Sequence, residues 1–198
     1  MTGRTRNIAF AALTLVASSV ALARAVSPAF VAPQSDAART AARVARGAYL
    51  INTMGCHDCH TPWKIGPRGP EPDMSRALTG HPSDLILPPP PKLGDGPWMW
   101  TAAATNTAFA GPWGVSFTAN LTPDVETGLG TWTYDMFIAT MKTGRHQGKG
   151  RPVLPPMPIQ IIAAATDEDA RSIFAYLQSI KPVRNRVPAP IEPGEAGK

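Results

Sequence analysis

The sequence predicts an all-α fold interrupted by a long irregular insert, and two observations carry that expectation. Apolar residues recur at spacings of three and four in three separate stretches, each with a capping residue ahead of it and a breaker behind. Between the first and second of these, residues 61–112 hold many of the chain's 22 prolines and several glycines, a composition that disfavours long regular elements. No internal repeat is visible.

Taken in order, the chain opens with Arg4 and Arg6 ahead of an uncharged apolar run from Ile8 to Leu22 that ends in small residues. This reads as an export signal over residues 1–25, with cleavage after Ala23 or Ala25. The run is about 15 residues, short of the roughly 20 that a spanning helix needs, so retention as a membrane anchor is the alternative reading. No later run is long enough to cross a bilayer, and a soluble mature protein is expected. Residues 26–35 form an Ala/Pro-rich flexible segment, and residues 36–187 remain as one domain large enough to bury a core.

Ser35 or Asp36 can cap the first helix, where Ala41, Val44, Ala45, Ala48 and Tyr49 recur on one face. The insert follows. Its tryptophans, Trp63, Trp98, Trp100 and Trp113, argue against a solvated tail and for an irregular wrap, with Pro88 to Pro91 as a polyproline II spacer or surface loop. A second helix is expected from Thr133 or Tyr134 to about Thr143, with Phe137, Ile138 and Met141 inward and Gly144 as the stop. The last runs from about Asp167 to Ser179. There Thr166 caps, three acids favour the positive end, and Ile173, Phe174 and Leu177 form the stripe with Tyr176 beside it. Pro182 ends it, and residues 188–198 form a flexible Pro-rich tail.

The densest chemical signal is Cys56-His57-Asp58-Cys59-His60. Cys-x-x-Cys-His is the attachment pattern of c-type haem. On a helical turn, positions i, i+3 and i+4 share a face, so two thioether sulfurs can hold the porphyrin while His60 approaches the iron. A dithiol redox site would sit at a helix start after a strand, whereas a helical segment precedes this motif. A zinc site would need two more ligands, but the chain has no third cysteine, and His81 and His146 are isolated. His57 and Asp58 read as spacers.

One histidine leaves the sixth iron position to be filled. Met157 stands in Leu154-Pro155-Pro156-Met157-Pro158, where the prolines stiffen an extended loop and can present a thioether with little freedom to swing away. His146, in the loop Gly144-Arg145-His146-Gln147-Gly148, is its rival, and an open site is the third possibility. Met136 and Met141 belong to a helix core, Met54 lies too near the motif, and Met74 and Met99 lack bracketing. Phe109, Trp113, Phe117 and Trp132 are candidates for the apolar wall.

The formal charge of +5 overstates the mature protein. Cleavage after Ala25 removes Arg4, Arg6 and Arg24 and no acid, leaving +2, and a ferric haem with two propionates subtracts one more. Near-neutrality removes the support for a nucleic-acid partner. A local excess survives in Lys142, Arg145, Lys149 and Arg151, with no acid between Asp135 and Asp167, and such a patch suits an acidic partner as well as a solvated loop.

The segments ARGAYLINTMGCHDCHTP, FTANLTPDVETGLGTWTYDMFIATMKTGRH, RPVLPPMP and TDEDARSIFAYLQSIKPVRNRVP resemble those of exported monohaem cytochrome c domains, including ones similar to the cytochrome subunits of bacterial alcohol and gluconate dehydrogenases. The resemblance implies the cytochrome c fold, one covalent haem c on Cys56 and Cys59, and His60 and Met157 as axial ligands. It implies first and last helices crossing near Gly47 and Tyr49 on one side and Phe174 and Tyr176 on the other. It also implies a periplasmic electron carrier between redox proteins on the dehydrogenase or terminal-oxidase side, membrane-associated only if the signal is kept. A single haem motif and the long insert depart from those subunits. A haem enzyme or gas sensor with an open or displaceable sixth ligand is the competing function, and a docking subunit whose haem anchors the fold is the third.

Overall fold

A computed structural model describes residues 35–92 and 96–195. The export-signal segment and all but the last residue of the flexible N-terminal segment lie outside the described residues. Among the described residues no helix is long and apolar enough to cross a membrane.

The first helix, α1, spans Asp36–Thr53, and Ser35 caps it by accepting from the Ala38 N–H. The short α2, Cys56–His60, follows after Met54 and Gly55. Downstream, α3 covers Tyr134–Thr143, capped by Thr133 and closed by Gly144 at φ 64. A further helix, α4 at Ile159–Ala163, has no counterpart in the sequence reading. The last, α5, spans Asp167–Ser179 with Thr166 accepting from the Asp169 N–H. The core they enclose includes Leu50, Ile51, Phe137, Met141, Ile173 and Leu177.

The buried face of α1 differs from the expected one. Gly47, Leu50 and Ile51 are buried, whereas Ala41 and Ala45 are exposed and Tyr49 is 58% exposed. Alanine is tolerated on both faces of a helix, so an alanine-rich periodicity discriminates poorly, and the crossing with α5 is set by the glycine. A Cβ at Gly47 would stand 1.9 Å from the Ser172 carbonyl oxygen and 2.7 Å from Tyr176 Cβ. Tyr49 instead lies under the Arg46 guanidinium, and Arg46 pairs with Asp169 of α5 at 2.8 Å. Phe174 packs its ring on Phe137 and Tyr134 of α3.

The fold is not all-α. It is 36% helix and 13% strand, and the strands form two antiparallel sheets. Strands β1 (Trp63–Gly66) and β2 (Gly69–Pro72) make a two-stranded ribbon. Strands β3 (Thr101–Ala102), β4 (Ala108–Gly111) and β5 (Gly114–Phe117) make the second sheet in that order. All of them fall in the insert or at its end, where proline density suggested irregular chain.

Turn chemistry is the physical reason. Both hairpins close through Gly-Pro-x-Gly, Gly66-Pro67-Arg68-Gly69 and Gly111-Pro112-Trp113-Gly114, with Gly69 at φ 116 and Gly114 at φ 88. Proline second and glycine fourth suit a type I turn whose last residue adopts a conformation that L side chains avoid. Pro70 and Pro72 are tolerated in β2 because a two-stranded ribbon has only edge strands.

Ile191 exchanges two 2.9 Å backbone hydrogen bonds with Val115, covering the free edge of β5. Buried Asn185 donates to the carbonyls of Thr79 and His81 and accepts from the Ser83 N–H, which ties the chain beyond α5 to the insert.

Candidate functional site

Helix α2 carries the Cys-x-x-Cys-His residues directly after the core helix α1, whose Leu50 and Ile51 anchor it. Cys56 and Cys59 are free, half-buried thiols. Burial pushes the Cys56 thiol up to about 11, with smaller upward contributions from Cys59 and Asp58, and burial and Asp58 push Cys59 the same way. Both are therefore protonated at neutral pH, the opposite of the lowered thiol that a dithiol oxidoreductase needs.

His60 is buried, and its Nδ1 lies 2.8 Å from the Ala119 carbonyl oxygen. A carbonyl can only accept, so Nδ1 carries the proton. Burial pushes the imidazole below its ordinary range, with the Ala119 hydrogen bond opposing and His57 adding to the fall. A neutral ring with its proton on Nδ1 leaves the Nε2 lone pair for a metal.

The insert grips α2 through several hydrogen bonds. The Asp58 carbonyl accepts from Trp63 Nε1 at 2.9 Å and from Asn106 Nδ2 at 2.7 Å. The His60 carbonyl accepts from the Gly80 N–H at 2.8 Å. Thr61 accepts from the Leu78 N–H, and its hydroxyl shares a 2.8 Å hydrogen bond with His57 Nδ1. His57, partly exposed, thus has one local partner on its own turn. His81, with Nδ1 on Thr107 and Nε2 facing the Leu85 carbonyl, is fully occupied in packing the insert.

Met157 is half-buried and packs against the helical core cluster that Cys56 also touches. It lines a cleft of about 590 Å³ with Lys142, Val153, Pro155 and Pro156, and no residue of α2 borders that cleft. His146 sits in a closed turn in which Gly148 and Gly150 donate to the Arg145 and His146 carbonyls, and its ring meets Trp132 edge-on at 4.9 Å. Met136 is exposed, Met141 is core, and Met74 and Met99 are exposed. Of the four candidate wall aromatics, only Trp132 packs on the helical core cluster. Phe109 meets Trp100, Phe117 meets His81, and Trp113 lies over Gly111.

Among the described residues, no group of three or more His, Cys, Asp or Glu converges to hold an ion. A zinc site needs its donors within about 2.3 Å of one point, whereas a porphyrin takes sulfurs at its rim and imidazole at its centre. Buried Thr118 Oγ1 has no hydrogen-bond partner among the described residues and stands one residue before Ala119, so an unspent polar group lies close in sequence to the residue that orients His60. The donor set thus fits a covalently held haem better than an ion. Ala119 and Asn106, which hold His60 and the motif helix, carried no sequence signal, since the first acts through its backbone carbonyl and the second through a single long-range hydrogen bond.

Comparison with known proteins points to a class. No family model matches the chain. Its relatives at modest identity are cytochrome c subunits of dehydrogenases, which supports a cytochrome c family and a role in electron transfer. The cytochrome c subunit of alcohol dehydrogenase (quinone) from Gluconobacter oxydans is 27% identical over 75% of this chain and 24% of its own length. The gluconate 2-dehydrogenase cytochrome c subunit of Pantoea cypripedii is 34% identical over 38% of this chain and 17% of its own. The fructose dehydrogenase cytochrome subunit of Gluconobacter japonicus is 26% identical over 71% of this chain and 22% of its own. The chain thus matches a quarter or less of the length of these relatives.

Proposed function

We propose that the chain is an exported, periplasmic cytochrome c domain that carries one haem and passes electrons between redox proteins. Cys56 and Cys59 attach the haem, and His60 and Met157 are its axial ligands. The observation that carries this reading is His60: buried, neutral, and oriented by the Ala119 carbonyl so that Nε2 is the free donor. The haem supplies a one-electron couple at iron. Around it, α2 fixes the proximal ring, the proline-flanked loop presents the Met157 thioether, and the apolar cluster shared by Cys56 and Met157 excludes water. With both axial positions filled by side chains, such a centre suits an electron carrier.

Carbon monoxide tests the ligand set. Reduced holoprotein should show no rapid spectral change with the gas, and Met157→Ala should bind it readily. An immediate, complete change in the wild-type protein would favour a gas-binding or catalytic haem. If Met157→Ala stays inert while His146→Ala opens the iron, His146 is the sixth ligand.

The same reading places an acidic partner, such as a dehydrogenase subunit, over Lys142, Arg145, Lys149 and Arg151. All four are exposed, none forms an ion pair among the described residues, and Lys142 borders the Met157 cleft. Oxidation of the reduced protein by anionic hexacyanoferrate(III) should slow as salt rises, and more weakly so in Lys142→Glu/Lys149→Glu. Rates indifferent to salt in both proteins would remove the patch from electron transfer.

A further inference from the structure

Ser116 is buried in β5, and its hydroxyl donates to the Pro155 carbonyl at 2.6 Å, with the Phe109 carbonyl a distant second at 3.4 Å. Pro155 lies two residues before Met157. Three residues beyond Ser116, the Ala119 carbonyl takes the His60 Nδ1–H. One short segment, 116–119, therefore touches the loop that presents Met157 and the ring of His60.

That segment is itself held from both sides. β5 pairs with β4 in the register Ala108↔Phe117 to Gly111↔Gly114, and its outer edge is bonded to Ile191. Beyond the strand, the Thr118 N–H donates to Thr107 at 2.9 Å, and the Thr118 carbonyl accepts from His81 at 3.0 Å. The methionine loop, by contrast, has few anchors of its own. Pro155, Pro156 and Pro158 have no N–H, and the Met157 N–H reaches the Leu154 carbonyl only at 3.4 Å. The short Ser116 bond is the polar tie between Pro155 and a rigid element.

We propose that Ser116 is a positioning residue for the sixth ligand, holding the Met157 thioether at the iron by fixing the Pro155 carbonyl. Segment 116–119, just beyond the insert, thereby sets both axial ligands from one strand end. This rests on the assignment of His60 and Met157 above. Without the hydroxyl, the proline loop keeps its stiffness but loses its anchor, so the thioether leaves the iron more often and outside ligands compete for its place.

The test uses the holoprotein with Ser116→Ala, the pair Ser116→Thr and Ser116→Val, and Met157→Ala as reference. Threonine and valine share a shape and differ by the hydroxyl, so their comparison decides the matter if alanine does not fold. Carbon monoxide association with the reduced protein and imidazole binding to the ferric protein are measured, with hydrogen exchange at the Met157 and Ile159 amides. Ser116→Ala and Ser116→Val should bind both ligands about tenfold faster than wild type, as loss of one buried hydrogen bond allows, and exchange faster in the loop. Ser116→Thr should stay near wild type, and all variants should keep wild-type haem content. If Met157→Ala opens the iron but the serine variants do not, the positioning role is wrong and the ligand assignment stands. If Met157→Ala binds no better than wild type, both fall together.

Discussion

Replacing Cys56 and Cys59 together by alanine is expected to convert the haem from a group that survives denaturation into one that is extracted by acidified organic solvent. On the proposed attachment, each thioether would form by addition of an S–H across a vinyl group of the porphyrin, sulfur to one carbon and hydrogen to the other, with no oxidant consumed. Burial pushes both thiols up and so favours the S–H form that such an addition consumes. A single substitution should leave one link and hence retained haem at lower yield. The double variant should lose it altogether, because the proposed ligands His60 and Met157 would then hold the iron by coordination alone. Mass measurement of the denatured wild-type and variant chains checks this. A wild-type chain that travels as bare polypeptide with two titratable thiols would overturn covalent attachment, and with it the haem reading of the motif.

The helical frame was legible because its signals are local. Thr166 caps α5 as its position suggests, Thr133 rather than the equally eligible Thr131 caps α3, Gly144 stops α3, and the Cys-x-x-Cys-His run falls on one helical turn. What sequence reading missed depends on separation along the chain. The strands were hidden because proline density was taken as a bar to regular structure, although the Gly-Pro-x-Gly turns that close both hairpins stood in the sequence twice. The Ala119 carbonyl that orients His60 lies 59 residues away and belongs to an alanine, whose side chain carries no hint of the role. Likewise composition predicts an irregular wrap, yet Trp63 and Asn106 of the insert both donate to the Asp58 carbonyl inside the motif. A wrap that shields a cofactor and a clamp that holds its attachment helix have the same composition. Only the hydrogen bonds separate them.

Gly47→Ala should produce the largest loss of stability of any single conservative change on α1, even though alanine is the better helix former by roughly 1 kcal/mol. The added methyl would lie 1.9 Å from the Ser172 carbonyl oxygen, and that oxygen belongs to the backbone of α5, so no side-chain rotation can relieve the overlap. Tyr176 Cβ, at 2.7 Å, closes the other side. The helices must therefore separate, loosening Leu50 and Ile51 against Ile173 and Leu177 and lengthening the Arg46–Asp169 pair at the same crossing. Overpacking of this kind costs about 3 kcal/mol or somewhat more, which outweighs the propensity gain and lowers the midpoint of thermal unfolding by roughly 6–12 °C for a domain of this size. Ala45→Gly, on the exposed face two residues earlier, should cost only about 1 kcal/mol, from helix propensity alone. Thermal unfolding of the two holoproteins beside wild type checks the pair, and a Gly47→Ala protein as stable as wild type would mean that the crossing is looser than the geometry places it. Because α1 leads straight into α2, the same separation should tilt the motif helix against the Ala119 carbonyl, so the variant should also bind carbon monoxide or imidazole more readily than Ala45→Gly does.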